Sequence, residues 1–322
     1  MTEFRSLLAR MAALASRLAR TPRRLGRWLL PLAALAAAAL AGYGYWHSPA
    51  ADEADERARF QIEDPQAQRL LRQAIEALQL RGSIQAKVRQ RAEAFGFSLL
   101  GWGTYLQADP SRMLSRWEMQ LESEGDVVTW LQVCDGNTLW TYQRGLESSR
   151  LTRVDVAAVR SAWQAGRGTA EAGGLAAPPL GGLAHWLDTL RRNFNFHRVD
   201  RDWLGNVPVA VLRGTWTPAA LQQLLPRQKQ RLQQGGIPDW EQLPPQLPDR
   251  VDLYLGEDDL FPYRVVYWRG SDVDAPPLAV VELFEVRFNA PIDPERFVYA
   301  PGQRTAVDET AQLIQQLLGK RR

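Results

Sequence analysis

The chain has 322 residues, of which 45% are hydrophobic and 9% aromatic; this excludes a disordered or collagen-like polypeptide and allows one large domain or two small ones. Its formal net charge of +3 is unevenly placed: residues 1–27 hold seven arginines against Glu3, residues 28–51 hold no charge, and residues 52–322 hold 32 basic and 35 acidic side chains. The basicity belongs to a tail, so a nucleic-acid partner is not needed to explain it and none is predicted.

Within residues 1–27, Phe4, Leu7, Leu8, Met11, Leu14, Ala15 and Leu18 recur at helical spacing, with Arg5, Arg10, Arg17 and Arg20 between them. That pattern predicts a basic amphipathic segment suited to an anionic inner leaflet, a solvated basic tail being the alternative. From Trp28 to Trp46 the chain reads WLLPLAALAAAALAGYGYW. As a helix it spans about 28 Å, close to the hydrocarbon thickness of a bilayer. Trp28 stands at one end, and Tyr43, Tyr45 and Trp46 at the other, where amphipathic rings prefer the headgroups. Arginines crowd the N-terminal side and Asp52, Glu53, Asp55 and Glu56 the other, so the positive-inside rule puts the N-terminus in the cytoplasm. A retained signal anchor and a signal peptide cut near Ser48-Pro49-Ala50 both fit, and the length of the apolar run favours the anchor. The prediction is a single-pass protein of the inner (cytoplasmic) membrane: transmembrane helix 28–46, acidic linker 47–63, and a periplasmic domain 64–322.

The domain reads as sheet with helices inserted. Asp64 and Pro65 open a predicted helix over 64–80, with Leu70, Leu71, Ala74, Ile75 and Leu78 on one face. Strands are predicted at 83–90, 95–107, 113–123, 127–134 and 138–144, the last two joined at Asp135-Gly136-Asn137. More follow at 207–216, 250–256, 262–270 and 278–289. Helices are predicted at 180–194, at 218–233 with a kink at Pro226, and at 308–319. The stretch 166–182 is rich in Gly, Ala and Pro, and 237–249 holds four prolines. Antiparallel strands at hairpin spacing, with few βαβ alternations, indicate an α+β fold.

Signals for catalysis or metal binding are faint. His47, His185 and His197 lack ligand spacing, and no HExxH, GxSxG, GK[ST] or CxxC motif occurs. Cys134 is the one cysteine, so no intramolecular disulfide is possible, and its apolar run predicts a buried thiol. Gly101-Trp102-Gly103 lies in a strand and reads as a close backbone approach rather than a phosphate loop. Glu118 with Glu122, or Asp258 with Asp259, could be posed as acid/base pairs, but a solvated face or turn explains them as well. No catalytic residue, metal or cofactor is predicted, and the chain is not expected to be an enzyme.

Aromatic residues carry more information. Ten of the twelve tryptophans lie beyond the apolar segment, several on strands apolar on both faces. In 278–288, Leu278, Val280, Phe284, Val286 and Phe288 share one parity and Ala279, Val281 and Leu283 the other. Such a sheet must be covered on both sides, by its own helices or by a ligand.

The run 253–270, then 278–302 with Phe288-Asn289, Ile292-Asp293-Pro294, Phe297 and Pro301-Gly302, then Val307 to Thr310, resembles the LolA/LolB-like lipoprotein-carrier superfamily and its RseB-like relatives. Gly101 to Tyr105, Met113 to Glu118 and Val133 to Tyr142 repeat its order of strands and turn. The resemblance covers residues 65–155 and 200–315. It implies a curved antiparallel sheet, an incomplete half β-barrel, with helices covering the concave side, and inserts at 156–195 and 218–249. It also implies a hydrophobic cavity for lipid or the acyl chains of a lipidated protein, a role in lipid binding or lipoprotein transport at the cell envelope. Strand position then nominates Trp102, Trp117, Trp130, Phe284, Val286 and Phe288 as ligand-facing. The alternative is a regulatory or scaffolding module that meets a protein partner through its sheet and loops.

Overall fold

The computed structural model describes residues 63–94, 97–109, 111–123, 126–145, 149–167, 180, 182–245, 247–270 and 276–318. Among them no helix is long and apolar enough to cross a membrane. The segments predicted at 1–27 and 28–46, and all of the linker but Glu63, lie outside the described residues.

In chain order the elements are α1 (Pro65–Leu80), β1 (Ser83–Ala94), β2 (Phe97–Ala108), β3 (Leu114–Ser123), β4 (Asp126–Cys134), β5 (Thr138–Arg144), β6 (Ser149–Asp155), α2 (Val156–Arg167) and α3 (Gly182–Asn193). After these come β7 (Phe194–Leu204), β8 (Val207–Trp216), α4 (Pro218–Leu224), α5 (Lys229–Gln233), β9 (Arg250–Gly256), β10 (Pro262–Trp268), β11 (Ala279–Phe288), β12 (Val307–Asp308) and α6 (Thr310–Leu318). The strands form one open, curved sheet in the order β12-β6-β5-β4-β3-β2-β1-β11-β10-β9-β8-β7. Every neighbouring pair is antiparallel except β12 with β6.

Local chemistry explains the boundaries. Asp64 caps α1 by accepting from the Gln66 N–H at 2.7 Å, and Pro65 occupies a position whose N–H would have no helical partner. Asp135 folds the β4–β5 turn by accepting from the N–H groups of Asn137 at 2.8 Å and Thr138 at 2.7 Å, with Gly136 at a φ of 92°. Pro226 does more than kink the predicted helix 218–233: it starts a 3-10 turn (Pro226–Gln228) that separates α4 from α5. The proline-rich loop after α5 is tied down by Arg269, whose guanidinium donates to the carbonyls of Leu243 (2.7 Å), Leu247 (3.0 Å) and Trp240 (3.2 Å).

Three strands were not legible. β6 and β7 carry alternating charges, and β12 is only two residues long. No strand is predicted over β7, of which the insert at 156–195 takes in only Phe194 and Asn195, whereas it forms an edge of the sheet. Most of 166–182 lies outside the described residues.

The main core lies between one face of the sheet, called inner here, and the helices. Leu71, Ala74 and Leu78 of α1, Leu183, Trp186 and Leu187 of α3, and Leu221, Leu225, Leu232, Leu243 and Leu247 of the 218–249 region meet Val88, Trp117, Leu212, Leu253 and Val281. A smaller core at the β4–β6 end joins Cys134, Leu139 and Val154 to Val159 of α2, with Leu313 and Ile314 of α6 against it. On the outer face the segment after β11 crosses back over the sheet. Phe297 packs on Leu106 and Leu114, the Tyr299 ring lies 5.5 Å from Trp140, and Arg304 sits 5.1 Å over Tyr142.

Candidate functional site: the inner face beneath the helices

Strand register sets the inner face as rows of side chains. One row runs Tyr105, Trp117, Gln132, Thr141 and Thr152 across β2 to β6. The next runs Gly103, Met119, Trp130 and Gln143, and the next Gly101, Leu121 and Val128. On β1 the same face carries Ile84, Ala86, Val88, Gln90 and Ala92, with Leu283, Val281 and Ala279 of β11 opposite the last three.

Aromatic rings join this wall to α3. Trp117 meets Tyr105 (5.4 Å between centroids), Trp130 (6.0 Å) and Trp186 of α3 (6.0 Å), each edge to face. A hydrogen-bonded chain then connects both helices to β2. The Leu183 N–H donates to the Tyr105 hydroxyl at 3.1 Å, that hydroxyl donates to Gln107 Oε1 at 2.7 Å, and Gln107 Nε2 donates to the Leu78 carbonyl at 2.9 Å. Trp186 Nε1 donates to the Tyr267 hydroxyl at 3.3 Å. Burial raises both phenols well above their ordinary range, so they stay neutral. Burial, with Arg192 adding to it, lowers His185 of α3 to about 4. Burial likewise raises the Cys134 thiol to about 11, as its apolar run implied.

Four nominated residues share the inner face. Trp117 and Trp130 are buried, while Val286 and Phe288 are partly buried against the main core, Phe288 meeting the Phe261 ring at 5.4 Å. Trp102 and Phe284 face the other way, with 45% and 37% of their surfaces exposed. For Trp102 the cause is strand parity, since its inner-facing neighbours are Gly101 and Gly103. For Phe284 it is a bulge: between the pairs Lys87 with Phe284 and Gln85 with Arg287, β11 carries one extra residue, and Glu285 has a φ of 49°. The single parity read through 278–288 is therefore broken there, with Phe284 outside and Val286 and Phe288 inside.

Sequence reasoning missed Trp186, Met119 and Gln90. Gln90 had a signal, since it is the polar member of the parity Ile84-Ala86-Val88-Gln90-Ala92. Of the two glycines, Gly103 marks a close backbone approach, while Gly101 faces side chains only. A Cβ on Gly103 would stand 1.9 Å from the Glu118 carbonyl oxygen. The posed acid pairs serve other ends: Glu118 pairs with Arg116 at 3.0 Å, and Asp259 accepts from the Tyr263 hydroxyl at 2.7 Å. Among the described residues no group of three or more His, Cys, Asp or Glu is placed to hold a metal ion. A separate groove of about 470 Å³, lined by Glu63, Pro65, Gln68, Arg69, Arg72 and Arg191, is polar and lies at the α1–α3 surface.

No protein-family model matches the chain, and no curated protein matches it. Solved structures with a similar fold include the lipoprotein LppX of Mycobacterium tuberculosis, 10% identical over 71% of this chain and 98% of that one, with a TM-score of 0.36. Others are the Pseudomonas aeruginosa MucA/MucB complex, 14% identical over 73% of this chain and 61% of that one (TM-score 0.33), and a LolA superfamily protein from Nitrosomonas europaea, 12% identical over 74% and 98% (TM-score 0.27). The last carries the superfamily name to which the sequence resemblance pointed. Superpositions this loose carry no residue across.

Proposed function

We propose that the chain is a binding protein of the cell envelope, without chemistry of its own. Residues 28–46 hold it at the inner membrane with residues 1–27 in the cytoplasm, and residues 64–322 receive a lipid or acyl chain on the inner face of the sheet. One observation carries this reading. The aromatic wall beneath α3 buries the indole N–H groups of Trp117 and Trp130 with no hydrogen-bond partner among the described residues. A core that only had to be stable would gain by pairing such donors or replacing them with hydrocarbon. A guest with carbonyl oxygens and an apolar tail suits them. The test is native mass spectrometry of the full chain extracted in mild detergent, followed by rebinding of a fluorescent fatty-acyl probe to the stripped protein. Co-purifying lipid and saturable rebinding are expected, and absence of both sinks the reading.

A second reading keeps a specific support. Leu100, Trp102 and Phe284 lie exposed on the outer face beside Lys87 and Arg89, a surface suited to a protein partner. If Trp102→Ser abolishes capture of a partner while lipid rebinding is unchanged, the outer face is the functional one.

A further inference from the structure

Gln90 is 1% exposed and projects from β1 into the main core between Val88 and Ala92. Neither its Nε2 nor its Oε1 meets a hydrogen-bond partner among the described residues. Leaving both ends of a buried amide unpaired is costly, and a leucine or methionine of similar volume would avoid the cost.

What lies beside it is unusual for a sheet interior. Directly across is Gly101, and Gly103 follows on the same face, so two successive inner positions of β2 lack side chains. Gly103 has a backbone reason, the carbonyl of Glu118. Gly101 has none: a Cβ there would meet only side chains, Leu121 Cδ2 at 2.6 Å, Gln90 Cβ at 3.4 Å and Met119 Cε at 3.4 Å. Met119 Sδ would also lie 2.6 Å from a Cβ on Gly103. The strip of sheet over the two glycines is therefore a trough filled by Met119 and Leu121, which lean across from β3. Methionine is unbranched and re-packs readily, so this filling can yield to a slender guest.

We infer that the trough over Gly101 and Gly103 takes an acyl chain in place of the Met119 and Leu121 side chains, and that Gln90 reads the amide joining that chain to its carrier. This rests on the lipid reading above and adds the kind of linkage recognised. An ester or ether could use at most the Gln90 donor. A secondary amide offers a carbonyl to Nε2 and an N–H to Oε1, and so satisfies both ends. An extended peptide has the same backbone groups, but its alternating side chains are too wide for a strip bounded by Gln90, Met119 and Leu121.

The test titrates the full chain, in mild detergent and stripped of lipid, with N-palmitoylglycine amide, methyl palmitate, hexadecyl methyl ether and an unacylated extended peptide. Wild-type protein should bind the amide roughly tenfold more tightly than the ether, with the ester between them and the peptide not competing. Gln90→Leu should erase that preference, with the amide losing the most affinity and the ether the least, and raise the thermal midpoint of the free protein. Gln90→Met repeats the measurement should the leucine variant fold poorly. Equal affinity for the three lipids, a preference that survives both substitutions, or a peptide that competes equally with the amide overturns the inference alone. Failure of every lipid probe to bind the wild-type chain overturns the lipid reading and this inference together.

Discussion

On the inner face Trp117 touches Tyr105, Trp130 and Trp186, and almost nothing in its surroundings carries charge. On the outer face Arg89 pairs with Glu282 at 2.6 Å, Glu282 also pairs with Arg264, and Arg264 lies 5.6 Å over the Tyr254 ring. Farther along, Arg198 and Arg213 share Asp200, each at 2.9 Å. The outer face pairs many of its polar groups with one another across strands, although the Thr215 hydroxyl and Arg264 Nε there are also buried without a partner among the described residues. The inner face holds polar atoms that lack partners among the described residues, namely Gln90 and the indoles of Trp117 and Trp130. What sets the inner-face groups apart is their place on one apolar wall, in rows that include Gly101 and Gly103, rather than the lack of a partner alone.

The contrast breaks most sharply at Trp117. Replacing it with alanine removes the hub of three aromatic contacts and leaves a cavity under α3, at a cost of about 3–5 kcal/mol. Urea unfolding of residues 63–322 should read this as a lower midpoint. A loss under 1 kcal/mol would mean that the wall is already loose.

The two glycines separate backbone from side-chain constraint. Gly103→Ala sets its methyl against the Glu118 carbonyl, so β2 and β3 must part locally, at about 3 kcal/mol. Gly101→Ala displaces only the ends of Leu121 and Met119 and should cost about 1 kcal/mol. Equal losses for the two variants would contradict the trough, because its filling would then be as rigid as backbone.

Acid should act on the helix side of the inner face through His185. Its folded value near 4 lies below the ordinary 6.5, because burial and then Arg192 oppose the charged form while Asp188 favours it. The unfolded chain therefore takes up the proton first. The stabilisation from a neutral His185 is complete above about pH 6.5 and is lost as pH falls toward 4, a change of about 2 kcal/mol. His185→Gln should flatten that part of the stability profile relative to wild type. Parallel profiles for the two proteins would assign the acid loss to carboxylates instead.

Much of this architecture is legible from local rules. α1 follows from Asp64, Pro65 and an apolar stripe, and the β4–β5 turn from an Asp-Gly-Asn whose side chain closes it. Four of the six nominated residues share the inner face because parity holds along β3 and β4 and again after the bulge in β11. What escaped depends on long-range pairing. Phe284 changes face because β11 gains a residue opposite β1, and nothing within LAVVELFEVRF announces Glu285 as the extra one. β7 is concealed by Arg198, Asp200, Arg201 and Asp202, charges that read as loop until Arg213 and Glu257 are found beside them. Trp186 stands in a segment that reads as an insert, and only the folded chain sets it over Trp117.

The smallest effect is expected where the outer face is apolar but uncovered. Trp102 and Phe284 already expose much of their surface, and Arg89 lies 5.7 Å over the Phe284 ring. Little apolar area returns to water when either is shortened, so Trp102→Ser and Phe284→Ser should each shift stability by no more than about 0.5 kcal/mol. Binding of an acyl probe should be unchanged in both, because the sheet separates these rings from the trough. The pair therefore sharpens the comparison. A large loss of stability would mean that the outer face is a second core, and lost probe binding with intact stability would move the guest to the outside of the sheet.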